Sequence, residues 1–379
     1  MDLLALHGWD DRLVRPSVDP SPGASAPARI SPLQAEEPGL EPPSAVPARV
    51  VAQERDRWRV VAAQGELLAE ASGRLRRAAR SALDLPLTGD WVLIEPPRQA
   101  GPCRVQAVLP RRTLLCRAAA GRATTAQGLA ANVDLALVVT APDRDLAPAR
   151  LERYLTLLAG SGVRPVVLLN KTDLIDDAPI LAEDLRAVLP GLPLLTVSAL
   201  TGAGLEAVRA LLVPGQTVVV LGSSGVGKSS LVNRLLGEAR QETLPVRAQD
   251  DRGRHTTTRR ELLPLPGGAL LLDTPGLREV GPWSAAGLDE AFDELAEVAR
   301  GCRFRDCTHE HEPGCAVLGA AEAGRLDPAR LESFWKLRRE LVRREELAGR
   351  RARYERRRVD RRERLEVRRR MAARDREWE

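Results

Sequence analysis

Gly222-Ser223-Ser224-Gly225-Val226-Gly227-Lys228-Ser229 fits GxxxxGK[ST] and stands between an apolar run and a helical pattern, with Ser230 continuing the helix. In that context glycines let backbone N–H groups curl around a phosphate chain at a helix N-terminus. Lys228 is then expected to reach the β- and γ-phosphates, and the Ser229 hydroxyl to ligate Mg²⁺. Asn170-Lys171-Thr172-Asp173 ends a different apolar run. A carboxylate at Asp173 can accept hydrogen bonds from N1 and N2 of guanine. Adenine offers no such pair, so the tetrad selects GTP. Lys171 can lie along the base and Asn170 can tie loops together. Ser198-Ala199-Leu200 follows the next apolar run and can reach the guanine O6 through a backbone N–H. Asp273-Thr274-Pro275-Gly276 completes the set: Asp273 holds the Mg²⁺ shell, and the Gly276 N–H faces the γ-phosphate.

Between the phosphate loop and Asp273 lies Gly253-Arg254-His255-Thr256-Thr257-Thr258. A threonine here, with Thr257 favoured over its neighbours, is expected to contact Mg²⁺ and the γ-phosphate. Leu277 occupies the place where many GTPases carry a water-orienting glutamine, and leucine cannot orient water. His255 is the nearest replacement; the competing reading is a loop histidine with backbone contacts. The guanine motifs precede the phosphate loop, the reverse of the usual order, which implies a circular permutation. The segment after Gly276 then leads directly into the C-terminal region, so a switch movement there can reposition that region.

Cys302-x4-Cys307-x-His309-x5-Cys315 offers three thiolates and one imidazole, a closed structural zinc set with no position left for a catalytic water. His311 is the alternative fourth ligand. Cys103 and Cys116 have no companions in sequence and read as core residues.

Such residues need elements to hold them. From Ala48 to about Arg117, short apolar runs such as Arg59–Val61, Asp90–Ile94 and Val105–Leu109 alternate with turn residues, which predicts a small β domain. From about Ala131 apolar strands alternate with helical patterns. The strands are Val133–Thr140, Val166–Leu169, Leu194–Val197, Val218–Leu221 and Leu270–Leu272, the last pairing with Glu261–Leu265 across Pro266-Gly267-Gly268. Helices are expected at Leu151–Leu158, Ile180–Val188, Leu205–Leu212 and after Lys228. Continuous apolar strands with helical crossovers imply a mainly parallel sheet covered on both faces, with ligands at the strands' carboxyl ends. Helical patterns surround the cysteine cluster, and residues 16–47 form a Pro- and Ala-rich linker.

Of 379 residues, 57 are Lys or Arg and 52 Asp or Glu, but the excess is local: residues 336–379 carry a net +9 and the remainder −4. Nucleic-acid contact is therefore sought first in the tail, against the alternative of a solvated helix laced with pairs such as Glu346–Arg350. Only three lysines occur, and two of them, Lys171 and Lys228, fall inside the nucleotide motifs. No apolar run approaches a membrane span, and residues 1–11 lack the basic start of a secretory leader. Clustered cysteines fit a reducing, cytoplasmic setting.

Together Val108-Leu109-Pro110-Arg111-Arg112, Ala131-Asn132-Val133-Asp134, the Asn-Lys-Thr-Asp tetrad, the phosphate loop, Gly253–Thr258, Asp273–Gly276 and the Cys/Cys/His/Cys cluster resemble the ribosome small-subunit-dependent GTPase A (RsgA) family. The resemblance covers most of residues 48–335. It implies a multidomain α/β protein with an N-terminal OB-like β-barrel, a circularly permuted P-loop GTPase domain and a C-terminal helical zinc-binding domain. The expected boundaries are 1–47 for the N-terminal segment and linker, 48–117 for the barrel and 118–282 for the G domain. Residues 283–335 would form the zinc domain and 336–379 an arginine-rich helical tail. It further implies a GTPase that binds the small ribosomal subunit and its rRNA, acts late in its maturation and is stimulated by it. His255 would take part in hydrolysis, and the barrel would offer Arg104, Arg111, Arg112 and Arg117 to RNA. Nothing demands more than a monomer. Two other readings compete: a GTP-dependent RNA-binding scaffold with negligible turnover, and a permuted GTPase acting on the large subunit.

Overall fold

The computed structural model describes residues 3–8, 45–54, 56–96, 101–119, 122–142, 146, 148–189, 191–237, 260–273, 288–289, 291–343 and 346. Residues 9–44 of the N-terminal segment and linker, the stretch with His255 and Thr257, Gly276 with Leu277, and the arginine-rich tail beyond residue 343, Glu346 excepted, lie outside the described residues.

The first domain is a closed five-stranded barrel. β1 (Val46–Glu54), β2 (Arg57–Ala62) and β3 (Gly65–Ala71) form an antiparallel meander. β3 pairs in parallel with β5 (Cys103–Val108), β5 pairs antiparallel with β4 (Trp91–Glu95), and β4 returns to β1. That 1-2-3-5-4-1 closure is the OB arrangement. Period-two alternation turns Ala48, Val50, Val60, Ala69, Val92, Ile94 and Val105 into the interior, with Trp58 filling its centre and donating its indole N–H to Pro86 O at 2.9 Å. Cys103 packs in that interior as expected, and Cys116 is also buried. A short helix, α2 (Gly73–Ala78), is capped by the Ser72 hydroxyl, which accepts the Leu75 N–H at 3.1 Å, and is anchored to the barrel by buried Leu75.

β1 also carries the connection to the second domain. A register shift between Val50 and Ala52 bends it, and Ala52 pairs with Glu261 of β12 (Glu261–Pro264). The barrel and the G domain thereby share one eleven-stranded sheet. Beyond β12 the order is β13 (Leu270–Asp273), β11 (Thr217–Gly222), β8 (Leu135–Thr140), β9 (Arg164–Leu169) and β10 (Leu194–Thr196), all parallel, with β12 antiparallel to β13. Alternate residues of the same strands feed two cores. Ala136 and Val138 face α3 (Pro148–Leu158) and α4 (Ala178–Val188); Leu135, Leu137 and Val139 face α5 (Leu205–Ala210) and α6 (Lys228–Leu236).

A hairpin of β6 (Leu114–Ala119) and β7 (Arg122–Ala131) links barrel to G domain and runs through the expected 117/118 boundary. Its far end feeds a polar junction. Arg49 of β1 is fully buried and donates to Thr217 Oγ1 at 2.9 Å, to the Asn132 carbonyl and to the carbonyl of His7, just after the short N-terminal helix α1 (Leu3–Leu6). Its guanidinium lies 5.0 Å from the Trp91 ring, and burial pulls its pKa down to about 10, still charged at neutral pH. Asn132, in the left-handed region at φ 54°, accepts the Arg112 N–H at 2.9 Å and donates to Gly89 O at 3.0 Å.

The third domain packs α7 (Asp293–Ala299), α8 (Ala316–Glu322) and a helical stretch at 328–343 around Leu288, Phe292, Leu295, Val317, Leu331, Phe334 and Leu337. Phe292 and Phe334 meet edge-to-face at 5.6 Å. Arg330 joins this domain to α3. It donates to buried Glu152 at 2.9 Å, pairs with Glu294, and stacks over Phe292 at 4.6 Å.

Candidate functional site

The phosphate loop leaves the carboxyl end of β11 and turns into α6, as its strand–loop–helix spacing requires. Two of its glycines are fixed by space as well as backbone. Gly222 has φ 141°, and a Cβ there would stand 2.3 Å from Val139 O. Gly227 has φ 93°, and a Cβ would stand 2.3 Å from Asn170 Nδ2. Gly227 caps α6 without any side-chain partner, which leaves the helix's first N–H groups for an anion. Ser224 and Gly225 are exposed at the loop's crown, Val226 is buried beneath it, and Ser229 and Ser230 are half-buried in the first helical turn. Lys228 Nζ is hydrogen-bonded to the Ser223 carbonyl.

The guanine motifs arrive from β9 and β10. Asn170 is almost completely buried at the end of β9. Its amide donates to Val226 O at 2.8 Å, and its Oδ1 accepts the Ala199 N–H at 2.9 Å. One side chain thus holds the phosphate loop and the Ser198–Leu200 loop in fixed relation. Lys171 takes the left-handed conformation at φ 63° and starts the single turn Thr172–Leu174. Thr172 donates through N–H and hydroxyl to Val197 O, at 3.3 and 3.1 Å. Asp173 is exposed, and the buried Ser198 hydroxyl donates to its Oδ1 while accepting the Thr201 N–H at 3.1 Å. This carboxylate is braced at one oxygen and open toward solvent. Arg234 of α6 binds the carbonyls of Ala199 and Leu200 and fastens the loop from below.

Asp273 ends β13, beside β11, with its backbone opposite Glu261. The described loops therefore bring together Asn170–Asp173, Ser198–Ala199 and Gly222–Ser230 at one end of the sheet. Sequence reasoning missed Arg150. In the first turn of α3 it donates to Ser223 Oγ at 3.2 Å. No motif marks it, because its partner is 73 residues away.

Cys302, Cys307, His309 and Cys315 meet with all four ligand atoms within 4.8 Å. His309 Nδ1 lies 3.5 Å from both Cys302 Sγ and Cys315 Sγ, and those sulfurs are 3.9 Å apart. A tetrahedral zinc, with bonds of about 2.3 Å to sulfur and about 2.0 Å to nitrogen, separates its ligands by about 3.5–3.8 Å, so the donor set fits one zinc ion. Burial and the nearby Arg338 hold His309 below its usual pKa, which favours the neutral imidazole a metal needs. Four groups organise the knuckle around Glu312: the N–H groups of Thr308, Glu310 and His311 and the Thr308 hydroxyl all donate to its carboxylate. His311, the alternative ligand, is not in the cluster.

The barrel arginines divide. Arg111 is not available to RNA: it is nearly buried, donates to both oxygens of fully buried Asp90 at 2.7 and 2.6 Å, and holds the carbonyls of Leu83 and Leu85. A desolvated carboxylate demands such a partner, so this arginine is structural. Arg112 pairs with Asp134 at 3.2 Å, Arg104 with Glu70 at 2.9 Å, and Arg117 donates to Gln127. Four arginines not singled out in the sequence, Arg74, Arg76, Arg77 and Arg80 on and after α2, are exposed.

A family model described as RsgA GTPase matches residues 108–283. The small ribosomal subunit biogenesis GTPase RsgA of Opitutus terrae is 47% identical over 305 residues, covering 78% of this chain and 83% of that protein. The protein of the same name from Streptomyces coelicolor is 44% identical over 356 residues, covering 93% and 90%. Among solved structures, YjeQ from Thermotoga maritima superposes with a TM-score of 0.59 at 27% identity, covering 79% of this chain and 99% of that one. YloQ, titled a circularly permuted GTPase, has a TM-score of 0.55 at 22% identity, covers 79% and 96%, and shows the shared fold.

Proposed function

The chain belongs to the RsgA GTPase family, and on that premise we propose that it binds the small ribosomal subunit, assists its late maturation and hydrolyses GTP under that subunit's stimulation. The enzyme class is GTP phosphohydrolase. The observation that supports the reading best is the Asn170 amide, which makes one nucleotide site of the phosphate loop and the two guanine loops.

In this reading the N–H groups of Gly225–Ser230 and the α6 N-terminus take the phosphates, and Lys228 exchanges the Ser223 carbonyl for phosphate oxygens. Asp173 takes the guanine edge, with Lys171 beside the ring and the Ala199 loop at O6. The Ser229 hydroxyl, Asp273 and Thr257 would hold Mg²⁺; when bound, that ion supplies charge neutralisation on the phosphates. His255 orients the attacking water, the task Leu277 cannot perform, when the subunit is bound. Cys302, Cys307, His309 and Cys315 hold one structural zinc ion. Partners are rRNA and GTP or GDP, the protein acts as a monomer, and the setting is cytoplasmic. No helix among the described residues is long and apolar enough to cross a membrane.

The test is GTP hydrolysis by the purified protein alone, with small subunits and with large subunits. Stimulation by small subunits alone is expected. GTP binding without stimulated turnover by either would replace this reading with the scaffold, and stimulation by large subunits alone would change the partner.

A further inference from the structure

We propose that Arg150 is a second cation of the phosphate site and contacts the γ-phosphate of GTP. The proposal rests on the GTPase reading and extends it to a residue outside every nucleotide motif. β8 lies beside β11, with Val139 opposite Gly222, so the helix that follows β8 begins next to the phosphate loop. Arg150 stands in the first turn of that helix and donates through Nη1 to Ser223 Oγ at 3.2 Å. Lys228 Nζ donates to the carbonyl oxygen of the same serine. Two cations from different elements therefore converge on one residue of the loop, the lysine on its backbone and the arginine on its side chain.

A guanidinium and a phosphate are both charged, so their hydrogen bonds are short and strong, and the planar fork matches two phosphate oxygens at once. The β-phosphate is enclosed by the loop's own N–H groups and the α6 terminus. The terminal phosphate projects past them and is the part that a neighbouring element can reach. The base is excluded, because its loops lie on the far side of Asn170.

The backbone beneath Arg150 is fixed. Leu151, Tyr154 and Leu155 are buried, and Glu152 is 2% exposed and held by Arg330 of the C-terminal domain. The Cα of Arg150 is thereby held in place, and its reach is set in part by how the C-terminal domain sits on α3.

The experiment titrates fluorescently labelled GTP and GDP into full-length wild type, Arg150→Ala, Arg150→Gln and Arg150→Lys, with a thermal melt of each. We expect Arg150→Ala and Arg150→Gln to lose about tenfold in GTP affinity and less than twofold in GDP affinity, with Arg150→Lys between them. Unchanged GTP affinity overturns the proposal. An equal loss for both nucleotides also overturns it, since an arginine that only braces the loop would weaken GTP and GDP alike. A wild type that binds neither nucleotide would fail the GTPase reading itself, a result distinct from the two above.

Discussion

Asn170 illustrates how a residue can govern a ligand site through the loops around it. Its two amide ends are both engaged, one on Val226 O and one on the Ala199 N–H, and both partners are buried. Asn170→Ala leaves a buried carbonyl and a buried N–H unpaired, at about 1–3 kcal/mol for each group so orphaned. The loss falls on the relation between phosphate loop and guanine loop. The variant is expected to melt several degrees lower and to bind GTP at least tenfold more weakly. A melting curve together with labelled-GTP titration checks this. Wild-type affinity would mean that the ligand alone aligns the loops. The Ser198 hydroxyl plays a parallel part: bonded to Asp173 and to the Thr201 N–H, it aims the carboxylate proposed to take the guanine edge.

At the scale of elements, the zinc knuckle joins two helices that the sequence pattern already marks. Cys315 ends the knuckle and starts α8, its sulfur accepting the Leu318 N–H at 3.4 Å. Cys307 and Cys315 also belong to the domain's small apolar core, beside Phe334 and Leu337. A core this small would lean on a zinc ion held by the proposed ligands. Removing zinc with a chelator is expected to unfold the C-terminal domain before the rest, as an early step in a melting curve that zinc restores. Glu312→Ala, which removes no ligand, is expected to lower zinc affinity about tenfold by releasing three N–H groups and a hydroxyl that shape the loop; a zinc-release titration measures it.

The strands and helices of the G domain were readable because their apolar runs match the period of what they form. The ligand set was readable because its spacing is local. The β6–β7 hairpin was not: Ala118, Ala119, Ala123 and Ala126 carry little β signal, and pairing of the two strands overrides it. Glu312 escaped notice because a single acid among polar residues has no pattern. Arg150, Arg49 and Arg330 escaped because each is defined by partners far away in sequence, which no spacing rule connects.

The whole molecule is fastened at two places. The barrel is joined to the G domain by the β1–β12 pairing and by Arg49, and the zinc domain is joined to α3 by Arg330 and by Arg153–Glu340 at 3.2 Å. The G domain thus stands between two modules that it can move relative to each other only by disturbing these contacts. If the barrel is a contact for rRNA, its charge distribution says where. Arg111 is consumed by Asp90, and Arg104 and Arg112 have carboxylate partners. By contrast Arg74, Arg76, Arg77 and Arg80 are exposed, and none has an ion-pair partner among the described residues. The flanking acids are engaged elsewhere: Glu70 pairs with Arg57 and Arg104, and Asp84 accepts the N–H groups of Arg80 and Ser81. Since Ser72 caps α2 and Leu75 is its buried residue, its exposed arginines can change at little cost to the barrel. Arg76→Glu with Arg77→Glu is expected to leave melting temperature and GTP affinity unchanged and to weaken small-subunit binding at least tenfold. The slope of log affinity against log salt should fall by about two, one for each lost phosphate contact. An unchanged slope with unchanged affinity would move the rRNA contact off this helix. A weaker affinity at constant slope would mean that the pair acts on the barrel's shape, with no direct hold on phosphate.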